Sequence, residues 1–309
     1  MTTTLSDMIN EVSMNLSGYT LTQDRATHLT AAVTTTTSTI ASPLILSLGS
    51  TDNVGKGVVE IDEELLFVDN FDRVGNTATV SPFGRGYLGT TAATHTSESK
   101  VTISPTFPRF SIKRAINDTI KGLSGTLFAA DTTTITYSSA VSTYRLPTTG
   151  TSLNIRNILS VAYESVGPSK EWIPIRSWRF DANANSGSFT SEQSISIYDM
   201  VTSGRTIQIV FSKDPTPFST NADVFTTQTG LPESCRDLVI LGSTYRLLSN
   251  LDPARAAMVS PQADEVDSKR PYGSSQSLTR NIYALYTQRL AEEVKSQQNK
   301  HPIRVHYSL

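Results

Sequence analysis

Gly57-Val-Val-Glu-Ile61 and Glu64-Leu-Leu-Phe-Val68 are two short apolar runs separated by only Asp62 and Glu63. Runs of four to eight residues that are rich in β-branched and aromatic side chains, with turn residues on both sides, predict strands. Three further runs of this kind surround the pair: Pro43–Leu48, Thr77–Val80 and Lys100–Ile103. The pattern predicts a small antiparallel barrel or sandwich in residues 40–109.

A second β-rich region is predicted at residues 131–229. Its strand-like runs are separated by turn residues near 167–168 and 183–187. The runs are Asn157–Tyr163, Glu171–Ile175, Ser194–Tyr198 and Arg205–Phe211. Threonine is abundant in the chain, and its β-branched side chain suits strands that face neighbouring molecules. The same composition is typical of a secreted globular β-protein with few charges, so composition alone does not decide between the two.

Four segments instead place apolar residues at helical spacing: 4–17, 110–128, 231–248 and 276–298. We therefore predict an α+β protein. Its N-terminal, central and C-terminal helices would form a helical bundle with two inserted antiparallel β-domains and an extended C-terminal tail. The predicted boundaries are 1–39 for the N-terminal helix and linker, 40–109 for the first β-domain, 110–130 for the central helix, 131–229 for the second β-domain, 230–298 for the C-terminal helices and 299–309 for the tail.

The charge balance argues against a protein that wraps nucleic acid. The net charge is -2, whereas such proteins gather lysine and arginine on one face to neutralise phosphates. No apolar run approaches the ~20 residues that span a bilayer, and Met1–Thr4 lacks the features of a signal peptide. We expect a soluble chain without an export signal. The single cysteine, Cys235, is expected to be a buried structural thiol.

No arrangement of residues predicts catalysis. The acids in Asp62-Glu63-Glu64 and Glu292-Glu293 are better explained as a turn and a solvated helical face. The glycines of residues 84–89 lack the Lys-Ser/Thr and the βαβ context of a phosphate-binding loop. The histidines lack a metal-binding spacing: they are His28, His95, His301 and His306. We expect no enzyme activity, no cofactor and no metal. A glycosidase site stays possible, because its two carboxylates need only lie close together in the folded chain.

One stretch resembles a known family. Phe83-Gly-Arg-Gly-Tyr-Leu-Gly-Thr-Thr-Ala-Ala-Thr-His95, followed by Lys100–Ile103 and then Pro108-Arg-Phe110, is similar to head-to-tail connector (adaptor or neck) proteins of tailed double-stranded-DNA bacteriophages. These proteins carry an Arg-Gly-Tyr/Phe-x-Gly-Thr-x-Ala-x-x-His pattern after a strand that Ile61–Val68 matches here. The matching residues of the pattern are Gly84, Arg85, Gly86, Tyr87, Gly89, Thr90 and His95. The resemblance covers roughly residues 57–110, and a compact glycine-rich turn would also serve other small barrels.

The resemblance implies a structural virion protein at the head-tail junction, assembled in the host cytoplasm. It implies a homo-oligomeric ring of about twelve copies between the portal and a downstream neck or tail protein. Double-stranded DNA would pass through the lumen without sequence-specific binding, and no membrane would be contacted. Ile303, Arg304, Val305 and Tyr307 would be the tail residues that dock on the portal. The pattern alone also fits a frayed terminus, or a strand that folds back on its own chain or joins a neighbour's sheet.

Two alternatives stay open. Another phage neck, tail-completion or baseplate protein would share the β-content and the lack of catalytic motifs. A glycan-binding or cell-wall-degrading virion protein would use exposed Trp172 and Trp178, and tryptophans packed in a core would argue against it. For any of these we expect residues 260–275 or the tail to reorganise on docking.

Overall fold

The structure is a computed structural model that describes residues 2–19, 23–146, 154–167, 170–249 and 274–302. Within these ranges the chain forms five α-helices. They are α1 (Leu5–Ser17), α2 (Arg109–Leu123), α3 (Phe225–Thr229), α4 (Arg236–Leu248) and α5 (Ser274–Lys300). None of these described helices combines the length and the apolar character that crossing a membrane requires.

Strands are the dominant elements, and thirteen of them form three sheets within the described residues. They are β1 (Arg25–His28), β2 (Ile45–Ser47), β3 (Gly57–Ile61), β4 (Glu64–Asp72), β5 (Thr77–Val80), β6 (Lys100–Ile103), β7 (Ala129–Thr136), β8 (Thr143–Arg145), β9 (Asn157–Glu164), β10 (Trp172–Pro174), β11 (Trp178–Asp181), β12 (Ser194–Ile197) and β13 (Thr206–Lys213).

The predicted helical bundle with two inserted β-domains is therefore wrong. The architecture is mixed but strand-dominated, and its largest element is a six-stranded half-barrel sheet. The prediction failed because helical spacing shows that one face of a helix is covered but does not show by what. Strand β8 was also missed, because its three residues carry too little periodicity to be recognised in the sequence.

The six-stranded sheet has the order β1-β6-β3-β4-β5-β2, and its paired strands are antiparallel. The β3–β4 hairpin turns over Asp62 and Glu63, as the sequence predicted, with Asp62 at a left-handed φ of 56°. The sheet curls until a β-bridge joins Leu29 to Leu48, just beyond its two edge strands. Its interior is a hydrophobic core that includes Leu46, Val59, Ile61, Leu66, Val68, Val80 and Val101.

The strands after α2 form two smaller antiparallel sheets, with the orders β10-β9-β13-β7 and β11-β12-β8. Side chains from both sheets share one hydrophobic core, which includes Ile135, Tyr144, Val161, Ile195, Ile207, Ile209 and Phe211. Along β13, buried residues alternate with partly exposed ones, the period of two that a strand shows when one face covers a core.

The helical periodicities located real helices. The stripe predicted for α1 is buried, as is that of α2, and the buried residues are Leu5, Met8, Ile9, Val12, Leu16, Ile112, Ile116, Ile120 and Leu123. In α5 the two predicted apolar rows are only partly covered. Ile282 and Tyr286 are buried, whereas Tyr283 and Leu285 are exposed.

Two compact units separate within the chain. One unit comprises the described residues within Met1–Leu5, Asn117–Val239 and Tyr283–Leu309, and the other comprises those within Ser6–Ile116 and Ile240–Ile282. The six-stranded sheet belongs to the second unit and the two smaller sheets to the first. The predicted docking residues Ile303, Arg304, Val305 and Tyr307 lie outside the described residues, as does most of the 260–275 stretch.

Candidate functional site

We call residues 82–95 the 82–95 loop. This segment lies between β5 and β6 and contains every residue of the family-like motif. The loop is bonded to β4 along its length. The N–H of Phe67 donates to the Gly84 carbonyl at 2.9 Å, and the N–H of Leu65 donates to the Thr90 hydroxyl at 3.1 Å. At the end of the loop, a β-bridge pairs His95 with Val33. The motif residues are thus gathered along β4.

Glu64, the first residue of β4, is the centre of this arrangement. Arg85 binds its carboxylate through two parallel contacts, Nε to Oε1 at 2.6 Å and Nη2 to Oε2 at 2.8 Å. Both side chains are nearly inaccessible, with 3% and 1% of their surfaces exposed. The guanidinium also donates to the carbonyls of Thr35 and Ala93. A buried arginine with this many partners locks the loop to the hairpin through charge-assisted hydrogen bonds.

Further donors complete the environment of Glu64. The backbone N–H of Gly86 lies 3.0 Å from Oε1, and that of Ala93 lies 2.9 Å from Oε2. The Nε2 atom of His95 lies 2.9 Å from Oε2. The other ring nitrogen of His95, Nδ1, lies 2.7 Å from Oδ2 of Asp62 in the hairpin turn. One buried carboxylate therefore organises both ends of the loop.

These contacts control the protonation of the two central groups. Burial raises the pKa of Glu64, but the hydrogen bonds from Arg85, His95 and two backbone N–H groups outweigh it and lower the pKa to about 2. Burial lowers the pKa of His95, but its hydrogen bonds to Glu64 and Asp62 reverse this and raise the pKa above its usual 6.5. Glu64 is accordingly ionised at neutral pH.

Two glycines of the motif are required by geometry. A Cβ atom on Gly84 would lie 2.8 Å from the carbonyl oxygen of Phe67, and one on Gly86 would lie 2.7 Å from that of Thr90. Gly86 also has a left-handed φ of 60°, which residues with a Cβ adopt at a cost. The hydroxyl of Thr90 donates to the Tyr87 carbonyl at 3.0 Å. The motif residues thus set the path of the loop.

The locked loop presents two large apolar side chains to solvent. Phe83 is 81% exposed and Leu88 is 70% exposed, and both have a left-handed φ, of 62° and 54°. Tyr87 lies between these two residues in the sequence, and its ring packs on Phe67 with ring centroids 5.2 Å apart. Such backbone conformations are unfavourable for residues with large side chains and persist where the surrounding structure enforces them. The arrangement can display a fixed apolar surface to another molecule.

The second cluster of reactive residue types lies around Cys235. Its thiol is buried, as predicted, and lies 3.6 Å from Oε2 of Glu293, which also accepts a hydrogen bond from Ser234. Burial, with the negative charge of Glu293, raises the pKa of Cys235 to about 12, so the thiol is protonated and unreactive at neutral pH. Among the described residues no group of three metal-ligating side chains converges.

The sequence identified the loop but missed the role of Glu64 and Asp62. The available signal was an acidic residue at the start of an apolar strand, together with an arginine in a glycine-rich loop, since a buried arginine needs a carboxylate. No protein-family model matches the chain, and no curated protein is significantly similar to it.

Proposed function

We propose that the chain is a structural virion protein of a tailed bacteriophage, an adaptor that forms a ring between portal and neck or tail and continues the DNA channel. The observation that carries the proposal is the bonding between the two halves of the family-like pattern. Glu64, from the strand half, binds Arg85 and His95, from the loop half. Residues that match a family pattern and also depend on one another physically form one structural unit, which strengthens the resemblance.

The exposed residues of the loop support a role in assembly. Phe83 and Leu88 lie outside any core described for this unit, and their backbone is held by the buried Arg85–Glu64 pair. Fixed apolar side chains make efficient interface anchors because little conformational entropy is lost when they are covered. In the proposed ring, this loop contacts a neighbouring subunit or the portal. The other proposed partners are the downstream neck protein and the DNA in the lumen. We propose no enzymatic activity.

The experiment is sedimentation of the chain with a portal ring from the same source. The test variant is Phe83→Asn with Leu88→Asn, because asparagine tolerates the left-handed backbone conformation while removing the apolar contact. The control is Val74→Asn, which replaces another exposed apolar residue in the β4–β5 turn. Each anchor contributes about 1.5–3 kcal/mol when buried, so the double variant should bind at least about a hundredfold more weakly.

The control variant should bind like the wild type. Equal binding by wild type and double variant would remove the loop from the interface. A wild-type chain that does not sediment with the portal would contradict the adaptor proposal and favour another neck, tail-completion or baseplate protein.

A glycan-binding or cell-wall-degrading protein is the second candidate. Trp172 on edge strand β10 favours it, since 43% of this residue is exposed. Trp178 counts against it because its ring packs against the core of the two smaller sheets. Binding of the protein to purified peptidoglycan distinguishes this candidate from the adaptor. Trp172→Ala is the test variant. The control is Tyr198→Ala, at another exposed aromatic residue.

A further inference from the structure

The ring of His95 lies between two carboxylates of the β3–β4 hairpin. Its Nδ1 atom is 2.7 Å from Asp62 and its Nε2 atom is 2.9 Å from Glu64. An ionised carboxylate only accepts hydrogen bonds, and a neutral imidazole carries a single N–H. Both contacts are hydrogen bonds at the same time only when both ring nitrogens are protonated. The geometry therefore describes an imidazolium.

The charges around the ring are balanced in that state. The charged groups that face it are Asp62 from the hairpin turn and Glu64 from β4, and Arg85 from the loop binds the same Glu64 carboxylate. Two positive charges thus meet two negative ones. Loss of the His95 proton would leave a net negative charge in a site where the side chains of Arg85, Glu64 and His95 are each at most 3% exposed.

The two carboxylates would respond differently to that loss. Glu64 keeps Arg85 and two backbone N–H donors. The side chain of Asp62 is 61% exposed, so its carboxylate can turn into water at little cost. The contact between His95 and Asp62 is therefore the one that opens.

We propose that His95 is a protonation-dependent latch that fastens the end of the 82–95 loop to the β3–β4 turn and releases it when the ring loses a proton. The loop stays bound to Glu64 through Arg85 and the Ala93 N–H, while the Asp62 side chain of the turn is released. Because the two carboxylates favour the charged ring, the latch is closed while the ring is protonated and opens as the pH rises. The latch goes beyond the proposed virion role and follows from this chain's own contacts, so failure of portal binding would leave it standing.

The test is NMR spectroscopy of the full chain between about pH 5 and pH 9, an interval that covers the range in which imidazole groups titrate. In the acidic part of this range both ring nitrogens of His95 should carry protons. The Asp62 side chain, read from its three-bond couplings, should lose its preferred χ1 rotamer as the ring titrates, whereas the N–H of Ala93 should keep its protection from hydrogen exchange. The N–H groups of β3 should keep theirs. Sequential assignment identifies the His95 signals, so the measurement does not depend on removing the ring.

Asp62→Asn is the test variant, because asparagine suits the left-handed conformation at this turn and removes one negative charge. It should shift the titration of His95 to lower pH. Asp69→Asn, at an exposed position of the same hairpin, is the matched control and should leave the titration unchanged. A His95 ring that loses its proton at a pH below the usual 6.5 would overturn the proposal. So would a titration of His95 that leaves the χ1 rotamer of Asp62 unchanged.

Discussion

Arg85 binds both carboxylate oxygens of Glu64, with Nε 2.6 Å from Oε1 and Nη2 2.8 Å from Oε2. The two residues are twenty-one positions apart in the sequence. Most of the 82–95 loop has no regular secondary structure, so few backbone ladders hold it in place. Its conformation depends instead on one buried ion pair and the donors around it. A surface displayed by such a loop is only as rigid as that pair.

Removal of Arg85 should destabilise the protein strongly. Arg85→Ala leaves the Glu64 carboxylate buried without its main partner, which costs about 3–5 kcal/mol of unfolding free energy. Arg85→Lys keeps the charge but loses the two parallel contacts, so its loss should be intermediate. Urea denaturation of the three proteins measures both differences.

The control for Arg85 is Arg73→Ala. Arg73 is exposed and lies 5.4 Å from the centroid of the Phe71 ring, a contact worth about 0.5–1 kcal/mol at an exposed site. Equal losses for the Arg85 and Arg73 variants would contradict the central role of the buried pair.

Gly86→Ala tests the path of the loop. The added Cβ would meet the Thr90 carbonyl at 2.7 Å, and the residue has a φ of 60°. The left-handed conformation alone costs about 1–2 kcal/mol for a residue with a Cβ, and the close contact adds to it. Gly55→Ala is the control, because a Cβ at Gly55 has open space around it. Thermal denaturation should show a clear loss for the Gly86 variant alone.

Glu60 predicts a specific pH dependence. Burial raises the pKa of Glu60 to about 7. The backbone N–H of Arg109, which donates to the Glu60 carboxylate, and the positive charge of Arg109 oppose the shift. Because the folded pKa lies above the unfolded one, the contribution of this group is complete below pH 4.5 and is lost as pH rises through 7. Glu60→Gln removes the titration, so its stability relative to wild type should grow by roughly 3 kcal/mol between about pH 4 and pH 8.

The control for Glu60 is Glu98→Gln, at an exposed carboxyl group of the same unit. Its stability relative to wild type should not change between acidic and alkaline buffer. If the curves of the Glu60 variant and the wild type run parallel over this range, Glu60 is not the buried acid described here.

Cys235 should resist thiol reagents in the native protein. The thiol is buried and its pKa is raised to about 12, so little thiolate forms at neutral pH. Ellman's reagent should react with one equivalent of thiol in denaturant and at a far lower rate in native buffer. Rapid reaction of the native protein would reopen the possibility of a nucleophilic cysteine.

Local features of the fold were accessible from the sequence. The hairpin at Gly57–Val68 and the buried stripe of α1 follow from side-chain periodicity, which reports which face of an element is covered. The assembly of the elements was not accessible. The bridge between Leu29 and Leu48 joins segments whose individual patterns contain no information on their pairing. The helical bundle was predicted because apolar helices were assumed to cover one another.

The site was predicted in part. Arg85 and His95 were identified through a resemblance, but Glu64 was interpreted as part of an acidic turn. Adjacent Asp62, Glu63 and Glu64 look alike in a sequence, whereas the hairpin exposes Asp62 and buries Glu64. The turn, in which Asp62 has a left-handed φ of 56°, produces this difference, and its consequence depends on a loop twenty-one residues away.

The most direct test of the adaptor proposal is the native mass of the purified chain, alone and mixed with a portal ring from the same source. We expect a complex in which about twelve copies of the chain join one portal ring with cyclic symmetry. A chain that remains monomeric and leaves the mass of the portal ring unchanged would contradict it.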